Sequence, residues 1–336
     1  MDKKTYEHSH SAHCESGVMS LMMRHHGLPL SEAMVFGLSG ALTFAYLPFI
    51  KLGGMPLIAY RSMPKSIIKG LKKRLGITMK MQTFSTPEKG MAALDSLLEK
   101  GEIVGAQTSV FWLPYFPEEM RFHFNAHNLI VYGKEGDEYL ISDPVFEAPV
   151  RSAAASLRKA RFVKGVMAPK GFLYYPVEVP ETIDYATLIP KAVKKTAKIM
   201  LKTPVPIAGV RGIKALARTI GKLEGKDRRY AKLFLGHIVR MQEEIGTGGA
   251  GFRFIYASFL EEAGNLIGSA LLKEASAQMT EVGDRWREFA LMVATAIRSK
   301  KSATIDYAAL QAKLESIADA EAAVYRNLRE GDWSRA

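Results

Sequence analysis

Hydrophobic spacing in the first half of the chain alternates between helical and extended periods. In residues 15–26, Val18, Met19, Leu21, Met22 and Met23 form a broad apolar stripe. That spacing predicts a helix, and Gly27 fits its C-terminal cap. Ser31 predicts the cap of a second helix beginning Glu32-Ala33-Met34. Residues 53–60 read as loop or short strand. A short basic helix is expected over 65–75, a strand over 77–83 and an amphipathic helix over 87–100. Strand signals then follow at 103–109, 126–133 and 138–143, and the last two flank the turn Glu135-Gly136-Asp137. That turn chemistry predicts a hairpin. Residues 162–165 and 172–179 are expected to add further strands.

Beyond Pro176, Pro180, Pro190, Pro204 and Pro206 almost everything has helical period. Helices are expected at 184–202, 207–223, 226–245, 252–280, 281–300 and 304–328, with one glycine-rich break at 246–251. The fold class is therefore α+β: a mixed domain with an antiparallel sheet over 1–180, followed by an α-helical domain over 181–336.

Composition narrows the function classes. With 336 residues and about half of them apolar, the chain can bury a sizeable core. The most apolar stretch, 33–50, is broken by Gly37, Gly40 and Pro48, which argues against a membrane span. The N-terminal segment lacks the apolar core of a secretory signal, so a cytoplasmic location is expected. The single cysteine, Cys14, excludes an internal disulfide and a multi-cysteine metal site. A net charge of +12 favours acidic partners without choosing among protein, anionic lipid and nucleic acid.

Three residues carry the candidate chemistry. Cys14 falls at the start of the first expected helix, where the positive end of the helix dipole favours a thiolate and open amides can hold an oxyanion. The competing reading is a small buried hydrophobe. His127 begins a strand, and Asp143 ends the strand expected to pair with it. A hairpin turning at 135–137 brings the two to one end of the sheet, where an Asp can hold the second imidazole nitrogen. His123 is the local rival by strand parity, and each of the three residues also has an ordinary structural reading. His8, His10 and His13 lack the carboxylate or thiol spacing of a metal site, so no metal is expected.

A thiol at a helix start, followed in the chain by a His and an Asp on adjacent strands, is the order of the papain-like cysteine enzymes. "HCESGVMSLMMRHHGLPLSEAMVFGLSGALTFAY", "AHNLIVYG" and "ISDPVFEAPV" resemble the N-terminal domain of the butirosin biosynthesis protein H family. More distantly, they resemble the papain-like peptidases that cut double-glycine leader peptides. The resemblance covers about 8–176, and "GTGGAGFRFIYASFLEEAG" at 246–264 resembles the helical domain that usually follows. It implies an acyltransferase, with Cys14 as nucleophile, His127 as base and Asp143 as orienter. The acyl donor would be the phosphopantetheine thioester of an acyl carrier protein, the acceptor a small-molecule amine, and no bound cofactor is implied. The leader peptidases carry a Gln six residues before the Cys as oxyanion donor. Here that position is His8, which leaves His8, His13 and the Cys14 amide as candidates and argues against a peptidase; the alternative reading is a cysteine hydrolase, peptidase or amidase, with the same three residues.

Two basic clusters fit an acidic carrier. One holds Lys65, Lys69, Lys72, Lys73 and Arg74, and the other places Lys191, Lys194, Lys195, Lys198 and Lys202 on one helical face. Anionic lipid at a membrane periphery is the competing partner. Nucleic acid is not expected, since no recognition motif accompanies the charge. In the helical domain, Arg253 and Tyr256 follow the glycine-rich loop as substrate-pocket candidates. Their competing reading is helix packing, with Arg253 paired to Glu261 or Glu262.

Overall fold

The computed structural model describes residues 6–52, 54–298, 305–331 and 333. In chain order the elements are α1 (Cys14–His25), α2 (Glu32–Ser39), β1 (Leu42–Leu52), β2 (Met55–Arg61), α3 (Ser66–Leu75), β3 (Thr78–Gln82), α4 (Pro87–Glu99), β4 (Val104–Thr108), β5 (His127–Glu135), β6 (Glu138–Ser142), β7 (Val150–Ala153), α5 (Ala154–Phe162) and β8 (Leu173–Glu178). The helices α6 (Tyr185–Lys202), α7 (Gly209–Gly221), α8 (Arg228–Val239), α9 (Arg253–Ile267), α10 (Ala270–Arg298) and α11 (Tyr307–Glu330) follow. They form two compact units, Met1–Val35 with Ile67–Ile183, and Phe36–Ser66 with Asp184–Ala336.

The first unit is built on a six-stranded sheet in the order β3-β8-β4-β5-β6-β7, with every neighbouring pair antiparallel. All five residues of β4 are buried, as expected for a strand covered on both faces. Gly105 faces Met22 of α1 and the Tyr174 ring, so closely that a side chain there would meet Tyr174 at 2.5 Å. Its neighbours Val104 and Ala106 point the other way, into a core with Leu94 of α4 and Leu157 and Ala160 of α5. Residues 14–23 of α1 are buried throughout, because this helix lies in the interior and not on a half-solvated surface.

The second unit joins a β1–β2 hairpin to the helices α6–α11. Tyr46 N–H donates to the Ile207 carbonyl at 2.8 Å, and Ala45 bridges Ala208. Phe44, Tyr60 and Trp286 pack edge-on or stacked within 6.2 Å of one another. These contacts group residues 36–66 with the helices, so a single cut between 180 and 181 does not describe the chain. Among the described residues, no helix is long and apolar enough to cross a membrane.

Several expected elements differ. The helix after Ser31 ends at Ser39, because Gly40 turns left-handed (φ 67°) and β1 follows. Residues 162–165 are not a strand. Phe162 closes α5, which is held by the buried Arg161 guanidinium donating to the carbonyls of Gly90 and Gly171 at 3.0 Å. The expected break at 280/281 falls instead at Gly268, the left-handed cap of α9, and α10 runs unbroken from 270 to 298. The expected boundary at 300–304 lies outside the described residues.

Candidate active site

α1 begins on Cys14. Its N-cap is His13, whose Nδ1 accepts the Ser16 N–H at 3.3 Å and shares a 2.9 Å hydrogen bond with Ser16 Oγ. Gly17 N–H donates to the His13 carbonyl at 2.9 Å. First-turn amides have no intrahelical acceptor. These contacts satisfy residues 16 and 17 and leave the Cys14 amide at the open end of the helix.

The chain leading to Cys14 is fixed from two sides. On one, the Glu32 carboxylate accepts Ala12 N–H at 2.9 Å, His13 N–H at 2.8 Å and Ser16 Oγ–H at 2.9 Å. Burial raises the pKa of this carboxyl, and those hydrogen bonds oppose the rise. On the other, Ser11 N–H donates to the Pro144 carbonyl at 2.6 Å. His8 Nε2–H donates to the Phe146 carbonyl at 2.9 Å, and its Nδ1 meets Ser142 Oγ at 2.7 Å. Gly17 permits this crossing, because a Cβ there would lie 2.7 Å from Ser11 Cβ and 2.8 Å from Pro144 Cβ. Glu15, fully buried, accepts Ile67 N–H at 3.0 Å and Ile68 N–H at 3.3 Å at the start of α3.

The sheet supplies the other two groups. His127 is the first residue of β5, and Asp143 follows the last residue of β6. Pairing of Ile130 with Ser142 brings these strand ends together. His127 Nε2–H donates to Asp143 Oδ2 at 2.6 Å, and Cys14 is close enough to the imidazole to act on it electrostatically. With Nε2 taken by the carboxylate, Nδ1 is the nitrogen left for the sulfur. All three are buried: Cys14 is 7% exposed, His127 4% and Asp143 0%. Burial alone would lower the His127 pKa. The Asp143 carboxylate, its hydrogen bond and the contact with Cys14 outweigh that and push it up to about 10. The direction of the shift favours the imidazolium, whose charge the Asp143 carboxylate balances.

Asp143 has two further donors that sequence reasoning missed. Tyr115 Oη–H reaches Oδ2 at 2.9 Å and Val145 N–H reaches Oδ1 at 3.3 Å. The Phe116 ring stands edge-on to His127 at 5.4 Å, and Phe146 packs on both Tyr115 and Phe116. Tyr115 and Phe116 come from the irregular segment between β4 and β5, where periodicity carries no signal. Glu32 was legible only as the first residue of a helix.

The remaining candidates lie elsewhere. His123 is exposed in that irregular segment, stacked on Phe111 at 4.1 Å, so strand parity does not apply to it. Both ring nitrogens of His8 are engaged, and His13 Nδ1 is spent on the helix cap. Neither ring nitrogen of His8 can serve an oxyanion without breaking a contact that holds the Cys14 segment. Arg253 is fully buried and pairs not with Glu261 or Glu262 but with Glu321 of α11, at 2.9 and 3.1 Å. It also donates to the Gly251 carbonyl and lies over Trp286. Tyr256 is fully buried, its ring packed against Phe259 at 5.5 Å. Both are core residues of the second unit rather than the lining of an open pocket. Lys69 and Lys73 of α3, and Lys191, Lys194 and Lys198 of α6, are exposed, while Lys72 and Arg74 are half-buried.

Comparison with known proteins finds two successive family matches along the chain. The family model described as butirosin biosynthesis protein H, N-terminal, matches residues 13–144, a span that starts one residue before Cys14 and ends one after Asp143. The domain of unknown function DUF4872 matches residues 155–328. No curated protein matches the chain significantly. Among solved structures, a crystal structure from Bacillus anthracis assigned as a C39-like peptidase is 13% identical, covering 53% of this chain and 96% of that one with a TM-score of 0.37. The chain belongs to the DUF4872 family and carries, ahead of that domain, an N-terminal domain of the butirosin biosynthesis protein H family.

Proposed function

We propose that the protein is a cysteine-dependent acyltransferase that takes an acyl or aminoacyl group from a carrier-protein thioester and delivers it to a small-molecule amine. The observation that carries this reading is the buried His127–Asp143 hydrogen bond, with the imidazole beside Cys14 at the N-terminus of α1. The sulfur attacks the thioester carbonyl, and a C–S bond to Cys14 forms. The carrier's thiol leaves, taking its proton from the His127 imidazolium. The acceptor amine then attacks the acyl-enzyme, His127 takes the amine proton, and Cys14 departs as thiolate. Thioester to thioester is nearly isoenergetic and thioester to amide is downhill, so no other energy source is required. The Cys14 amide is the oxyanion donor, aided by the dipole of α1.

Exposed lysines on α3 and α6 are the docking sites for an acidic carrier. Of the two, α3 is tied to the nucleophile's helix, because Glu15 next to Cys14 caps it.

The test follows thioester consumption with and without added amine. Acceleration by amine, amide formation, and loss of both in Cys14→Ala support the transferase. Consumption at the same rate in water alone would make the protein a hydrolase with the same three residues. Consumption that persists in Cys14→Ala would refute the covalent route.

A further inference from the structure

We propose that Tyr115 is a positioning residue for the Cys14–His127 pair and acts through Asp143, an inference that rests on the acyl-transfer reading. Its hydroxyl donates to Asp143 Oδ2 at 2.9 Å, the same oxygen that accepts His127 Nε2–H at 2.6 Å. Among the described residues, the other oxygen receives only the Val145 amide, at 3.3 Å. Rotation of an Asp carboxylate about χ2 is soft, so two donors converging on Oδ2 fix its plane and, with it, the imidazole. The titratable groups facing this carboxylate are His127 and Tyr115, and those facing the imidazole are Asp143 and Cys14.

Tyr115 is held in place by Phe146 at 5.3 Å and Phe116 at 5.2 Å, and Phe116 packs on the His127 ring. Burial first, then the Asp143 charge, raise the pKa of the Tyr115 phenol well above its ordinary value. The phenol therefore stays a donor at every working pH. A donor on a carboxylate draws charge from it, so Tyr115 weakens the pull of Asp143 on the imidazolium. It keeps His127 less basic than Asp143 alone would make it, and thus better able to release and retake a proton in each half-reaction.

The test replaces Tyr115 with Phe, which keeps the ring packing, and follows the His127 imidazole resonances by NMR as a function of pH. The expected result is an upward displacement of the His127 titration by about one pH unit, from the size of a hydrogen bond to a charged group. The downfield proton of the His127–Asp143 bond should also change, and kcat for transfer should fall with little change in KM. Site-specific 3-fluorotyrosine, a stronger donor, should move the titration the opposite way. A Tyr115→Phe protein with a lowered Tm but an unchanged titration and downfield proton would overturn the proposal and leave Tyr115 a packing residue. A wild-type His127 that titrates as a free imidazole would overturn the thiol–imidazole–carboxylate reading, and the role of Tyr115 with it.

Discussion

Replacing Asp143 by Asn separates charge from orientation. Both side-chain donors, His127 Nε2–H and Tyr115 Oη–H, converge on one carboxylate oxygen, Oδ2. An Asn carbonyl oxygen can take that position and keep both contacts. Its amide nitrogen then faces Val145 N–H, so only the 3.3 Å contact is lost. The charge, however, is gone. At the 2.6 Å separation of the pair, Coulomb's law with an effective dielectric of about 20 gives an attraction of ~6 kcal/mol. The rise of His127 from 6.5 to about 10 corresponds to a net gain of about 5 kcal/mol after the opposing cost of burial. In Asp143→Asn the His127 titration should therefore fall by about 2 to 4 pH units, read by NMR of the imidazole. Acyl transfer at neutral pH should slow by about tenfold to a hundredfold, and Asp143→Ala, which loses orientation too, by about a thousandfold or more. A raised folded-state pKa contributes stability that is complete below the unfolded value and is lost as pH rises through the folded one. The excess stability of the native protein over the Asn variant should thus be complete below pH 6.5 and vanish as pH passes about 10. An Asn variant whose His127 still titrates near the native value would refute this assignment of the charge.

Gly17→Ala should cost about 1–3 kcal/mol of stability and slow Cys14 acylation severely, because the added Cβ meets the Ser11 and Pro144 Cβ atoms at 2.7 and 2.8 Å. Native Tm with native acylation would contradict it. Arg253→Ala should destabilise the protein by about 3–5 kcal/mol in urea denaturation, since it leaves the buried Glu321 carboxylate without its cation; a loss under about 1 kcal/mol would mean that the pair is dispensable. Lys69→Glu with Lys73→Glu should raise KM for a carrier-linked donor about tenfold at low salt. It should leave a carrier-free acyl-pantetheine donor unaffected. Equal effects on both donors would remove α3 as the docking helix.

The expected α+β character, the β5–β6 hairpin and the placement of Cys14, His127 and Asp143 were legible because each depends on local signals. Helical spacing ends at a capping glycine for α1, and the Gly136-Asp137 turn sets the pairing of Glu135 with Glu138. The hidden features depend on contacts across long separations. Residues 36–66 join the second unit through Tyr46–Ile207 and the Phe44–Trp286 packing, which no local period announces. Arg253 was visible as a helix-face cation, but its partner lies 68 residues away in Glu321. Tyr115 sits in an irregular segment where neither the helical nor the strand period applies, so its contact with Asp143 has no sequence signature. His8 matched a catalytic position by spacing, whereas the structure engages both of its nitrogens in holding the segment before the nucleophile.

The covalent intermediate is the most direct test. The intact protein is mixed with an acyl-pantetheine thioester in the absence of amine, quenched in acid and weighed by mass spectrometry. A gain of one acyl mass, mapped by peptide analysis to Cys14 and discharged on adding an amine, is the result this account requires. A protein that gains no mass, and whose Cys14 also resists iodoacetamide under native conditions, would contradict it.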